Sequence, residues 1–234
     1  MLQYGKFATS LLVSVMAIPV TFLQGTALAV SGDHYAKSVP PGIAALTTNG
    51  GHCGGTLIAP QWVLTAAHCV AKAKADPNQT VTVHLGSLNQ TEGESFEAPT
   101  SNIYIKDGKD MALLKLPQAA SSQPASLAGD KEYPPPGATA YVYGWGGTHS
   151  SLYLRWAEVS VSKDWCTDVM GDGYGIGTNA VNGHAEPGDS GGPLYKADVA
   201  TVIGVVSNGI EATGWDCYSS VGNARQWIRD TAGV

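Results

Sequence analysis

The sequence predicts an all-β fold, a barrel or a sandwich, and three observations carry the prediction. The chain holds 29 Gly and 13 Pro with only 14% charged residues, a composition that favours turns and short strands over long helices. Short strand-like runs recur between Gly, Pro, Asn and Asp clusters. A Pro/Ser/Ala-rich stretch from Pro117 to Pro136 divides the chain into two similar halves, which suggests two barrels.

In the first half the runs are Gly42 to Thr48, Gly55 to Ile58, Trp62 to Thr65, Val81 to Leu85, Ile103 to Ile105 and Met111 to Leu116. Each is short, rich in β-branched or other apolar residues, and bounded by turn residues. In the second half they are Thr139 to Tyr143, Ala157 to Val161, Gly192 to Tyr195 and Val202 to Ser207. The one good amphipathic helix is terminal, with Asn223 as a candidate cap and Ala224, Trp227 and Ile228 on one apolar face. No fixed-period repeat is present.

Residues 1–29 read as a secretory signal peptide. Lys6 is their only charge, Leu11 to Leu23 is almost wholly apolar, and Ala27-Leu28-Ala29 fits small-x-small cleavage. The apolar run is short for a bilayer span, and Pro19 interrupts it. Removal leaves about 205 residues, enough for one large β domain or two small subdomains. The expected division is a leader over 1–29, a first barrel over 30–120, and a second barrel with the terminal helix over 121–234. The formal charge of −6 and the absence of a Lys/Arg cluster argue against nucleic acid. No second apolar run is long enough to cross a membrane. Four cysteines in a secreted chain point to disulfides.

The chemistry concentrates in Gly183-His184-Ala185-Glu186-Pro187-Gly188-Asp189-Ser190-Gly191-Gly192-Pro193-Leu194. Glycines around Ser190 allow backbone N–H groups to approach a reacting carbonyl. A hydroxyl is a weak nucleophile alone and needs a base and an orienter. His68, after the small residues of Thr65-Ala66-Ala67, is the base candidate, and a Cys53–Cys69 bridge would staple it to a neighbouring strand. His34, His52, His84 and His149 are assigned to surface or satisfied core. Asp110, immediately before an apolar run, is the orienter candidate; Asp107-Gly108 reads as a turn.

Thr65-Ala66-Ala67-His68-Cys69, Asp110-Met111-Ala112-Leu113-Leu114 and Gly188-Asp189-Ser190-Gly191-Gly192-Pro193 together resemble the chymotrypsin/trypsin-like serine protease family. The order His, Asp, Ser matches that family and differs from subtilisins and α/β-hydrolases. Cys53 to Ile58, Gly144-Trp145-Gly146, Leu154 to Cys166 and Trp227-Ile228 extend the likeness over nearly all of residues 30–234. The resemblance implies two six-stranded antiparallel Greek-key β-barrels with a C-terminal helix. It also implies a secreted, monomeric endopeptidase acting on protein or peptide substrates, open to protein protease inhibitors, with no cofactor or metal. In that template Ser190 attacks, His68 shuttles the proton, Asp110 holds the imidazole, and the N–H groups of Gly188 and Ser190 form the oxyanion hole. His184, Ala185, Ser207 and Gly209 would contact substrate. Two other readings are a catalytically silent binding protein of the same fold and an esterase with the same triad.

The chain departs from the family in several places. Where trypsins carry an acid six residues before the serine, His184 stands, so preference for Arg or Lys is not supported there. Asp216 is read as an exposed loop acid rather than a substitute. The nucleophile loop also looks like that of bacterial streptogrisins, which favour apolar side chains, although those carry Cys at His184. His184 would make the pocket pH-sensitive or serve as a polar floor residue. Asn208 replaces a common aromatic. Cys166 and Cys217 resemble halves of two different family bridges, and the even count favours their pairing with each other. Asp189 corresponds to the acid that receives a new α-amine on activation. Ala29-Val30-Ser31-Gly32 weakly resembles the family's mature start, so removal of the leader would itself create the activating terminus. Asn78-Gln79-Thr80 and Asn89-Gln90-Thr91 fit the N-glycosylation sequon.

Overall fold

The computed structural model describes Met1 and residues 30–234 apart from 33, 49–50, 148–150 and 172–173. The expected leader, Met1 excepted, and His149 lie outside the described residues.

The first sheet contains β1 (Ile43–Thr48), β2 (Gly51–Ala59), β3 (Trp62–Thr65), β4 (Thr80–Leu85), β5 (Glu94–Pro99), β6 (Ile103–Ile105) and β7 (Ala112–Lys115). Its order is β5-β4-β1-β2-β3-β7-β6. The two end strands are consecutive in the chain, separated only by a single 3-10 turn at Thr100–Asn102. One interrupted strand therefore joins the two ends of the sheet and curls it into a barrel.

The second sheet contains β8 (Ser126–Leu127), β9 (Thr139–Gly144), β10 (Arg155–Thr167), β11 (Tyr174–Ala180), β12 (Pro193–Lys196), β13 (Thr201–Ile210) and β14 (Trp215–Ser220). β12 pairs with both β9 and β13, which closes this barrel. The two-residue β8 is a parallel addition on β13. The fold class is as predicted. Each sheet counts seven strands rather than six, because the turn at Thr100–Asn102 splits one strand and the connecting segment adds β8.

The strands that face both a barrel interior and the other barrel read as unbroken apolar runs. In the β3–β7 pair, Val63 lies opposite Leu114 and Leu64 opposite Leu113. Val63 and Leu114 fill the first barrel, whereas Leu64 and Leu113 join the core shared with Val142, Leu194, Val205 and Tyr218 of the second. Burying a leucine contributes about 1.5–3 kcal/mol, so the alternation stabilises the barrel and the inter-barrel contact together.

Two helices are present among the described residues. α2 (Val221–Ala232) is the predicted terminal helix, but Ser220, not Asn223, is its N-cap and accepts the Asn223 N–H. α1 (Ala67–Lys74) was not anticipated, because its N-cap position is Ala66, which offers no capping side chain. The cap comes from the turn before β7, as described below.

Both disulfides are formed. Cys53–Cys69 ties β2 to α1 with a Cα–Cα distance of 6.3 Å. Cys166–Cys217 spans 5.8 Å between β10 and β14, which are not neighbours: β11 runs between them. The bridge passes over β11 at Gly175, where a Cβ would sit 2.6 Å from one sulfur and 2.8 Å from the other. Only glycine leaves room for that crossing.

Candidate active site

Asp110 enters from the turn before β7, is fully buried, and is saturated with donors. Its Oδ1 accepts the His68 backbone N–H at 2.9 Å, and its Oδ2 lies 2.7 Å from His68 Nδ1 and accepts the Ser207 hydroxyl at 2.7 Å. The carboxylate thus supplies the helix cap that Ala66 lacks and orients the imidazole on the first turn of α1. Burial pushes the Asp110 carboxyl up, but the His68 ring, the His68 N–H and the Ser207 hydroxyl outweigh it and hold the group below its ordinary range. His68 is one-third exposed and shares with Ser190 a cavity of about 330 Å³ whose other lining residues come from the first barrel; its Nε2 lies 3.8 Å from Cys69 Sγ and makes no hydrogen bond to Ser190.

The serine loop is pinned from both barrels. Gly54 of β2 donates its N–H to the Ser190 carbonyl at 2.7 Å, and Gly191 N–H donates to Val206 of β13 at 2.9 Å. Asp189 N–H turns back to Glu186 O. Among the described residues the N–H groups of Gly188 and Ser190 donate to no protein acceptor, which leaves two donors free in this loop.

Asp189 is buried beneath the loop. It accepts the N–H groups of Gly146 at 2.7 Å and Glu186 at 2.8 Å, and the Val30 N–H as well. Burial raises its carboxyl to about 7, despite these bonds. Val30 itself is fully buried. Ser31 anchors this segment through Ser31 N–H to His184 O at 2.9 Å and the His184 N–H to Ser31 Oγ at 2.8 Å.

Beside Ser190 lies a second cavity of about 190 Å³, whose wall includes Ala185, Ser207 and Gly209. Of the four residues expected to contact substrate, these three reach it; His184 sits behind Ala185, with Nδ1 2.8 Å from the Ala185 carbonyl. Asn208 lines this cavity and reaches the Thr167 carbonyl. The reading of Asp216 as an exposed loop acid is corrected. It is 1% exposed, on β14, and lines this cavity with Glu186 and Glu211. The clue in the sequence was its place inside Trp215-Asp216-Cys217-Tyr218, a run that a loop would not need.

Sequence reasoning also missed a buried ion pair next to the orienter. Lys109 Nζ lies 3.9 Å from Asp168 Oδ2 and donates to the Tyr174 carbonyl at 3.3 Å; Ser219 donates to the same Asp168 oxygen at 2.8 Å. The pair fastens the residue preceding Asp110 to the second barrel.

The trypsin family profile matches residues 29–228. The chain belongs to the trypsin family of serine endopeptidases. Among curated trypsin-family relatives, Hypodermin-B of Hypoderma lineatum is 34% identical over 204 residues, covering 77% of each chain. Solved structures of like fold include HL collagenase, at 27% identity with a TM-score of 0.72, covering 88% of this chain and 99% of that one. Human heparin binding protein is similar at 25% identity with a TM-score of 0.71, covering 88% and 96%.

Proposed function

We propose that this chain is a secreted endopeptidase that hydrolyses peptide bonds through an acyl-enzyme formed on Ser190. The observation that carries the reading is the 2.7 Å contact between Asp110 Oδ2 and His68 Nδ1, with His68 and Ser190 facing one cleft. Asp110 fixes the tautomer in which His68 Nε2 carries the lone pair that takes the Ser190 proton. The Ser190 oxygen adds to the carbonyl carbon, and the imidazolium returns the proton to the departing amine. Water repeats the sequence to release the acid. The free N–H groups of Gly188 and Ser190 are suited to the oxyanion; losing one such donor costs about 10²–10³ in rate.

Activation follows from Asp189 and Val30. Cleavage after Ala29 would turn the Val30 amide, already bonded to Asp189, into an ammonium. The new charge would meet the buried carboxylate and hold the serine loop. The expected export leader, a monomeric state and susceptibility to protein inhibitors belong to the same reading. No described helix is long and apolar enough to cross a membrane.

A silent binding role draws on the likeness to human heparin binding protein. The formal charge of −6 is unsuited to a polyanion, and a fully bonded Asp110–His68 pair has no use in such a role. Incubation of the secreted protein with a diverse peptide library tests the proposal. Cleavage is expected from the wild type and its loss, by at least about 10³-fold, from Ser190→Ala. Equal cleavage by both would overturn the assignment, and ester hydrolysis without peptide cleavage would favour the esterase reading.

A further inference from the structure

Two adjacent residues of the first barrel each reach into the second. Lys109 is buried, with Nζ 3.9 Å from Asp168 Oδ2, and it donates to the Tyr174 carbonyl of β11 at 3.3 Å. Asp110 accepts the Ser207 hydroxyl of β13 at 2.7 Å. The two links also meet on the far side. Val169, which follows Asp168, donates its backbone N–H to Ser207 Oγ at 3.1 Å. A closed ring results, running from Asp110 through Lys109, Asp168, Val169 and Ser207 back to Asp110. Peptide bonds form two of its edges, and contacts between the barrels form two more.

The far side of the ring is held in place. Asp168 is buried; its Oδ1 accepts the Met170 N–H at 3.2 Å and its Oδ2 the Ser219 hydroxyl of β14 at 2.8 Å. The carboxylate cannot turn from Lys109 without breaking those bonds. A serine hydroxyl has one proton to give. With the Val169 N–H directed at Oγ, that proton is left for Asp110. The segment that Lys109 holds is therefore the one that aims the Ser207 hydroxyl. Without Lys109, Asp168 becomes an uncompensated buried charge, which drives its segment toward water and away from Ser207.

We infer that Lys109 and Asp168 are positioning residues for catalysis: their ion pair holds the Asp168–Val169 segment against Ser207, and so keeps Asp110 and His68 of the first barrel aligned with Ser190 of the second. The inference rests on the catalytic reading above and adds two residues to it. Both act through Ser207 and Asp110 rather than on the substrate.

The test separates alignment from stability. Three quantities are measured on the active protein and its variants: kcat and KM for a peptide that the wild type cleaves, the rate at which phenylmethylsulfonyl fluoride labels Ser190, and the urea midpoint. Lys109→Met and Asp168→Asn are each expected to lower kcat and the labelling rate at least about tenfold, with KM within about twofold. The double variant Lys109→Met/Asp168→Leu decides the matter. An apolar pair leaves no uncompensated charge, so its urea midpoint is expected to return close to that of the wild type. Its kcat is expected to stay at least about tenfold low, because the directed link is gone. Recovery of kcat together with the midpoint overturns the inference and leaves the catalytic reading standing, as do single variants that lose stability and keep kcat. Should the double variant not fold, the proton NMR resonance of the His68 Nδ1–H in Asp168→Asn serves instead: it is expected to shift from its wild-type position, and an unshifted resonance overturns the inference. Absence of Ser190 labelling in the wild type overturns the catalytic reading and this inference with it.

Discussion

With a leader still joined to Val30, the buried Asp189 should make the protein more stable in mild acid than at neutral pH. Its carboxyl is displaced from the ordinary 3.8 to about 7 by burial. Between these values the folded protein keeps a proton that the unfolded chain has lost, so stability falls as pH rises. The loss begins near pH 4, continues to about pH 7 and is complete above it. At about 1.4 kcal/mol per tenfold in proton affinity, it amounts to about 4 kcal/mol. For a chain of this size that is about 10 °C in Tm. A free α-amine at Val30 stays charged to about pH 8 and would offset the cost of the ionised carboxylate. The assay is thermal or urea unfolding from pH 4 to 8 of two Ser190→Ala proteins, one with a leader fused to Val30 and one with it removed. The leader-bearing form should lose stability across the range, and the processed form should not. Asp189→Asn in the leader-bearing form should abolish the slope. Parallel profiles for the two forms, or a slope that survives Asp189→Asn, would refute the reasoning.

Gly175→Ala should obstruct the Cys166–Cys217 crossing, and thiol titration of the folded variant should detect two reactive thiols or a Tm lowered as much as in Cys166→Ala. Lys109→Met leaves Asp168 buried without its cation and should cost about 3 kcal/mol in urea unfolding. Ser207→Ala removes one of the three donors to Asp110; kcat should fall about tenfold, with the sharper loss at low pH, where Asp110 is more easily protonated. Reduction of Cys53–Cys69 should destabilise the chain by about 3 kcal/mol, the value for a loop of this length.

Strands with apolar faces on both sides, such as Trp62–Thr65 and Ala112–Lys115, were legible because their runs needed no context, and so were alternating ones such as Thr80–Leu85 and Thr139–Gly144. β5, the two-residue β8, β11 and β14 were not recognised. Glu94-Ser95-Phe96-Glu97-Ala98-Pro99 carries charges and a proline, Tyr174–Ala180 is interrupted by two glycines, and Trp215–Ser220 hides an acid. The glycine at 175 is there for the disulfide above it, a reason no local pattern contains. Helix α1 was missed for a related cause: its cap, Asp110, lies 42 positions away. Residues 68, 110 and 190 were legible because each sits in a dense local motif. Asp216 was not, since its burial depends on the pairing of β14 with β11 and β13.

The two barrels divide the site between them. His68 and Asp110 belong to the first, and Ser190 and Ser207 to the second. A ribosome therefore delivers the candidate base and its orienter well before the candidate nucleophile. A chain halted between Asp110 and Ser190 holds the candidate base and orienter without the candidate nucleophile. On the proposed mechanism, fragments that end before Ser190 carry no nucleophile and cannot form the acyl-enzyme.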